Sequence, residues 1–312
     1  MAENYGLPYA GSKSRIAHWV IDQLPRGRVL IDAFAGGCAI THRALLIQKW
    51  QTVIANDING KYPQLFADAV RGKYRDEKRW ISREDFERLK EKDAFVACCW
   101  SFGNNLRHYM YSKAIEPYKR ALHYAIVLDD FAPMQELMPE VSQAVADAIH
   151  WQNSLHDRRI TAQNVIVKKL KLLTGDNYAH QIIQGNPLYQ SIRHTNRNTP
   201  SLNSLESLES LERLRVTSLS YDEIDIPDDA VVYCDPPYHD RDKKLYEGTA
   251  SSFDHCTFYD WCVGVSKTNP IFISEYSIED DRFEVVAEKQ KMSCLSSVKS
   301  FNVTERLYTV KK

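Results

Sequence analysis

The chain has 312 residues, of which 44% are hydrophobic and 26% charged, the make-up of an ordinary globular protein with enough length for a large core. Its net charge of −1 excludes nucleic-acid binding by bulk charge, so a polyanion would have to be held by local patches. There is no apolar run near the roughly 20 residues of a membrane span, and no signal-peptide pattern. Seven cysteines, an odd number without a Cys-x-x-Cys pair, argue against a disulfide framework or a zinc site and for a reducing cytoplasm.

Residues from Tyr5 to Lys13 read as a polar loop ending Tyr9-Ala10-Gly11-Ser12-Lys13. A helix is predicted from about Ser14, with Ile16, Trp19, Val20 and Leu24 on one face, stopping at Pro25-Arg26-Gly27. Val29-Leu30-Ile31-Asp32-Ala33-Phe34 reads as a buried parallel strand. It runs into Ala35-Gly36-Gly37 and a helix from about Cys38 to Lys49. Strand, glycine turn and helix N-terminus make the first crossover of a nucleotide-type fold, in which backbone N–H groups can face a ligand. Thr52 to Asn56 is a second strand with Asp57 at its end, an acid about twenty residues past the glycine turn and so placed to grip ribose hydroxyls. These features point to an adenosine-containing cofactor; Asp57 could otherwise serve as a helix cap.

From about Tyr62 to Asn198 the strand pattern gives way to helical or irregular segments, too long for a loop and so expected as an inserted subdomain. Predicted helices include Arg83 to Lys92, Val141 to Trp151 and Ile160 to Leu173. Three stretches mix cations with Asn and Tyr: Asn104 to Lys113 followed by Lys119 and Arg120, then Lys168, Lys169 and Lys171, then Arg193 to Asn198. Such residues can touch phosphates and base edges, and their shared location suggests a joint DNA surface. Asn105, Arg107, Tyr109, Lys113, Arg193, Asn196 and Arg197 are the candidates. Each stretch taken alone reads as a solvated face. Ser204 to Leu214 carries leucine every third residue, which winds around a helix, and reads as a marginal helix or linker.

Arg215 to Leu219 resumes the sheet, with Ser220-Tyr221-Asp222 at its end. The apolar run Ala230 to Cys234 is a short buried strand that ends in Asp235-Pro236-Pro237-Tyr238. Two prolines force a stiff turn at the carboxyl end of the strand, where open α/β sheets bind ligands. The carbonyls of Asp235 and Pro236, a carboxylate and an aromatic ring suit a planar molecule with an exocyclic amine, such as a nucleobase. Phe253 to Lys267 is predicted as a crossover helix and Pro270 to Ser274 as a strand. Phe283 to Ala287 and Arg306 to Val310 are predicted as an antiparallel pair. Histidines show no metal-ligand spacing, and no Gly-x-Ser-x-Gly is present.

With these motifs in hand, the chain resembles the Dam-like adenine-N6 DNA methyltransferases. Tyr9-Ala10-Gly11-Ser12-Lys13 looks like that family's aromatic-Ala-Gly-x-Lys motif, and Phe34-Ala35-Gly36-Gly37-Cys38 like its Phe-x-Gly-x-Gly turn, with Cys38 in place of the last glycine. Asp57 matches the acid on the ribose, Ser220-Tyr221 a pair lining the adenine, and Asp235-Pro236-Pro237-Tyr238 the catalytic motif. The order of motifs is the family's alpha arrangement. No segment of the insertion matches the one that members use to read GATC.

The resemblance implies a Rossmann-like α/β methyltransferase sheet, mostly parallel with an antiparallel C-terminal strand. It would span residues 1–61 and 199–312, with a mainly helical target-recognition subdomain over 62–198. S-adenosylmethionine is the implied cofactor, held by Tyr9, Lys13, Asp32, Phe34, Gly36 and Asp57, with Ser220, Tyr221 and Asp235. The implied reaction is methyl transfer to the N6 amine of an adenine flipped out of double-stranded DNA, with Asp235, Pro236, Pro237 and Tyr238 as catalytic residues and no metal. A cytoplasmic monomer or weak dimer, not requiring a restriction nuclease, is expected. Two alternatives stay open, methylation of cytosine N4 and a catalytically silent DNA-binding module of the same fold.

Overall fold

Val29–Asp32 (β1) and Ala230–Cys234 (β4) are buried at every residue, as their unbroken apolar runs require of strands covered on both faces. In the computed structural model they pair in parallel at the centre of a seven-stranded sheet. Thr52–Asn56 (β2) and Leu214–Thr217 (β3) extend the sheet on the β1 side, and Ile271–Glu275 (β5) on the β4 side, all parallel. Phe283–Ser293 (β6) and Phe301–Val310 (β7) form the antiparallel pair. The strand order is β3-β2-β1-β4-β5-β7-β6, so the last strand in sequence lies inside the sheet, against β5. The fold is thus the expected Rossmann-like sheet. The structure describes residues 5–151, 153–174, 211–238, 253–293 and 301–312. Among these, no helix is long and apolar enough to cross a membrane.

The chain divides into two units, Met1–Arg75 with Ser201–Lys312, and Asp76–Pro200. The first holds the sheet with helices α1 (Ala17–Gln23), α2 (Ala39–Ile47), α3 (Lys61–Val70) and, later in the chain, His255–Val265. Its core alternates along the strands. Val29, Ile31, Val232, Cys234, Ile271 and Ile273 face Phe258 and Cys262 of the His255–Val265 helix. α3 lies in this unit and packs near β3, although the loss of strand pattern at Tyr62 suggested that the insertion starts there. Its apolar residues Tyr62, Leu65, Phe66, Ala69 and Val70 recur at helical spacing and are all buried.

The described residues of the second unit are mainly helical. α4 (Arg83–Leu89) and α5 (Ala94–Cys99) are capped by Ser82 and Asp93, whose side chains accept N–H groups of the first turn. α6 (Glu116–Leu128), α7 (Ala132–Leu137), α8 (Pro139–Ala148) and α9 (Leu155–Thr174) share one core. It is built from Leu122, Ala125 and Ile126, Met134 and Met138, Val141 and Val145, and Ala162 and Ile166. The His255–Val265 helix becomes α10, capped by Asp254, whose carboxylate accepts the Thr257 N–H at 3.1 Å. Most of the Ser204–Leu214 repeat lies outside the described residues; Leu211–Arg213 form a single 3₁₀ turn.

Candidate active site

The sheet reverses direction between β1 and β4. From β1 the chain moves outward to β2, and from β4 outward to β5 on the other side. At such a switch point the loops leave in opposite directions and open a crevice at the carboxyl ends of the strands. Asp32 at the end of β1 is in register with Tyr233, so the glycine turn and Asp235-Pro236-Pro237-Tyr238 emerge side by side.

Four side chains converge on the second loop. The Lys13 ammonium lies 2.6 Å from Asp235 Oδ1 and 3.5 Å from Glu305 Oε1, and 4.6 Å from the centroid of the Tyr238 ring. The Tyr238 hydroxyl donates to Glu305 Oε1, and the ring meets Tyr276 edge-on at 4.6 Å. Lys13 and Glu305 are buried while Asp235 keeps some exposure. Burial pulls the Lys13 pKa down, but the charges of Asp235 and Glu305 outweigh it and hold the ammonium above the ordinary lysine value. Tyr238 is itself buried, and burial, with Asp235 and Glu305 adding to it, pushes its hydroxyl well up, so it stays protonated. His255, the first residue of α10, makes a 2.9 Å hydrogen bond with the Pro237 carbonyl and braces the turn from the other side. The Pro236 side chain is buried and that of Pro237 partly so.

Sequence reading did not find Glu305. It reaches the site because β7 runs antiparallel to β5, with Arg306 opposite Glu275 at the carboxyl end of β5. The preceding residue therefore stands at the same end of the sheet as Asp235. A signal was present: Glu305 and Leu307 share one side of an alternating strand, and a carboxylate on the buried side of a strand is unusual.

The cofactor candidates gather around the first crossover. Asp57 takes the Gly36 N–H on Oδ2 at 2.9 Å and the Asn59 N–H on Oδ1 at 2.8 Å. Burial raises its pKa, and these two N–H groups partly restore it. Gly36 has φ +45°, and a Cβ on Gly37 would come within 2.6 Å of the Tyr9 Cβ, so the turn and the opening loop fit only without side chains. Tyr9 is partly buried and meets Tyr62 edge-on at 5.2 Å. Phe34 stacks on Tyr221 at 5.7 Å, uniting the ends of β1 and β3. Ser220 starts the turn that holds Tyr221; its N–H donates to Glu223 at 3.2 Å and its hydroxyl to Asp222. Cys38 takes a left-handed conformation, φ +59°, at the start of α2, a position that glycine would fill without strain.

Asp32 stands apart from these. It is fully buried, and its Oδ2 accepts both the Thr41 hydroxyl at 2.7 Å and the Thr41 N–H at 3.2 Å. Burial raises its pKa to about 7. It faces α2 and ties β1 to that helix, where the resemblance implied a cofactor contact. Asn56 was missed by sequence reading. Its amide donates to the carbonyls of Ala33 and Leu219 and accepts from Thr217 Oγ1 and the Leu219 N–H, so one buried side chain joins three strand ends. Ile58 was missed too; it is 79% exposed directly beside Asp57.

In the second unit the DNA candidates divide. Arg107 and Lys113 are exposed, and Asn105 is partly so, its side chain accepting the N–H groups of Arg107 and His108 within its own turn. Tyr109 corrects the sequence reading: it is buried, with its hydroxyl donating to the Ile81 carbonyl at 2.7 Å and its ring against Tyr111. It pins the loop. Lys119 is buried as well, its pKa lowered to about 7 by burial and by Arg159. Arg193, Asn196 and Arg197 lie outside the described residues.

Comparison with known families decides between the readings of these features. Residues 9–146 match the D12 class N6 adenine-specific DNA methyltransferases. The match agrees with the resemblance found in the motifs over that stretch and supports an adenine-specific DNA methyltransferase enzyme. It covers the opening loop, the glycine turn, Asp57 and the Arg107 loop, and ends before β3, so Asp235-Pro236-Pro237-Tyr238 lies outside the matched residues. No curated protein matches the chain. A methyltransferase of this family acts on DNA and in general draws its methyl from S-adenosylmethionine.

Proposed function

We propose that this chain transfers a methyl group to the N6 amine of an adenine turned out of double-stranded DNA at a specific sequence. The observation that carries the reading is the Asp235 carboxylate, partly exposed at the carboxyl end of β4 and joined through the Lys13 ammonium to the Tyr238 ring. The residues of the first crossover fit an adenosine-bearing donor. Asp57 offers a carboxylate to ribose hydroxyls, Ile58 an apolar face to a flat base, and Phe34 and Tyr221 an aromatic wall. When bound there, S-adenosylmethionine would supply an electrophilic methyl on sulfur.

The chain's own residues do the rest. A base inside a duplex is out of reach, and extruding it costs a few kcal/mol. Stacking on the Tyr238 ring offsets roughly 1–3 kcal/mol of that. Asp235 and the Pro236 carbonyl accept the two N–H bonds of the amine and aim its lone pair away from the ring plane. They also stabilise the positive charge that develops on nitrogen as the new N–C bond forms and the methyl–sulfur bond breaks, which would release the donor as a neutral thioether. The nitrogen then sheds one proton to solvent. The rate comes mainly from positioning, with no covalent enzyme intermediate. We assign donor binding and chemistry to the unit formed by Met1–Arg75 and Ser201–Lys312, and site recognition to Asp76–Pro200, where Arg107 and Lys113 are exposed.

Expression in a methylation-free cytoplasm followed by single-molecule sequencing of the host DNA tests this. N6-methyladenine at one short sequence, lost in Asp235→Ala, is the expected result. Modified cytosine would move the activity to the N4 amine. Unmodified DNA together with intact DNA binding would make the chain a silent binding module.

A further inference from the structure

The space over the Tyr238 ring, where the target base would stack, holds the Lys13 ammonium, which is also bound to one oxygen of Asp235, Oδ1, at 2.6 Å. A base stacked on that ring therefore requires Lys13 to leave the ring face and loosen its hold on Asp235. A buried ammonium without a counter-charge is strongly unfavourable, so it must be received elsewhere. Glu305 is the second carboxylate within reach, 3.5 Å from the same nitrogen, and its side chain is wholly buried.

We infer that Glu305 is a positioning residue that receives Lys13 when Asp235 turns to the target amine. The inference rests on the methyltransferase reading above. Glu305 Oε1 lies at the hydroxyl edge of the ring, so a shift off the ring face towards that edge exchanges the two contacts: the ammonium closes on Glu305 and opens from Asp235. Glu305 is held for this by the Tyr238 hydroxyl, which donates to the same oxygen, Oε1, that faces Lys13. The ring that stacks on the base thus also orients the acceptor of the displaced cation. With both carboxylates ionised, one cation between them gives the cluster an excess negative charge. That excess matches the positive charge developing on the amine, which a lone Lys13–Asp235 pair would not supply.

Glu305→Gln keeps the shape and an acceptor for Tyr238 but removes the charge. Competitive reductive methylation of amines in the folded full chain, read by mass spectrometry, reports the free-base fraction of Lys13. Without the Glu305 charge the Lys13 labelling rate at pH 9 should rise about threefold, the factor for a half-unit fall in its pKa. Methyl transfer at saturating plasmid DNA should fall at least about tenfold, equal to ~1.4 kcal/mol, with DNA affinity unchanged. Glu305→Asp, which restores the charge, should recover the parent labelling profile. Unchanged labelling in Glu305→Gln overturns the inference, whatever the activity, because Glu305 would then act on Tyr238 or the fold alone. Raised labelling with parental turnover also overturns it, since the pair would exist without a handover. A parent chain inactive on DNA overturns the methyltransferase reading and the handover with it, whereas an active parent with unchanged labelling overturns the handover only.

Discussion

The carboxylate of Asp57 accepts the backbone N–H of Gly36 at 2.9 Å, which locks the end of β2 to the turn that follows β1. The residue proposed to grip the donor's ribose also shapes the turn beneath it. Asp57→Ala should weaken S-adenosylmethionine binding at least about tenfold, ~1.4 kcal/mol. Asp57→Asn, which can still accept from Gly36, should fall between the two. Calorimetry giving equal affinities for Asp57→Ala and the parent would remove Asp57 from the site.

Tyr238 combines a ring and a hydroxyl with separate tasks. Asp235→Ala should abolish methyl transfer in a folded protein. Tyr238→Ala should lower turnover by roughly 1–3 kcal/mol of lost stacking. Tyr238→Phe keeps the ring but takes a donor from the buried Glu305, at a cost in stability of about 1–3 kcal/mol. Its turnover should stay closer to the parent than that of Tyr238→Ala. If Tyr238→Phe is as inactive as Asp235→Ala, stacking is the wrong role for the ring.

Two buried groups next to the site titrate in opposite senses. Asp32 has its pKa raised to about 7 from 3.8, so the folded state holds a proton that the unfolded chain releases, and stability falls as pH rises through that window. His42 accepts the Gly6 N–H at 3.0 Å on Nδ1, and burial lowers its pKa to about 4 from 6.5, so stability falls as pH drops through that window. Between about pH 4 and 6.5 the two slopes, each about 1.4 kcal/mol per pH unit, nearly cancel. Asp32→Asn should expose the loss of stability towards acid, and His42→Gln the loss towards neutral pH. Urea denaturation across this range checks both, and identical flat profiles for all three proteins would contradict the assignment.

Arg107 is exposed at the tip of a loop tied back by Asn105 and by the Ser101–Tyr109 bridge. Arg107→Ala should raise the DNA dissociation constant and leave S-adenosylmethionine affinity unchanged. A phosphate contact would be lost evenly across sequences, whereas a base contact would relax choice at one position. Parental binding and methylation at physiological salt would mean that Arg107 belongs to a solvated face.

The elements were legible in the sequence because local pattern encodes them. Ala230–Cys234 is apolar throughout, as a strand covered on both faces must be, and Asp235-Pro236-Pro237 can only end it. The Gly36-Gly37 turn and Asp57 likewise follow from backbone sterics and spacing, and they meet as expected. Pattern also set the approximate ends of α4 and α10. What the tertiary structure decided is which distant segments touch. Only the entry of β7 between β5 and β6 brings Glu305 to Tyr238 and Lys13. Only packing turns Asp32 towards Thr41 and closes Tyr109 inside its unit. A residue's neighbours along the chain fix its backbone preference, but the partner of a buried charge is chosen by the whole fold. No local spacing records that Lys13 would find two carboxylates more than two hundred residues away.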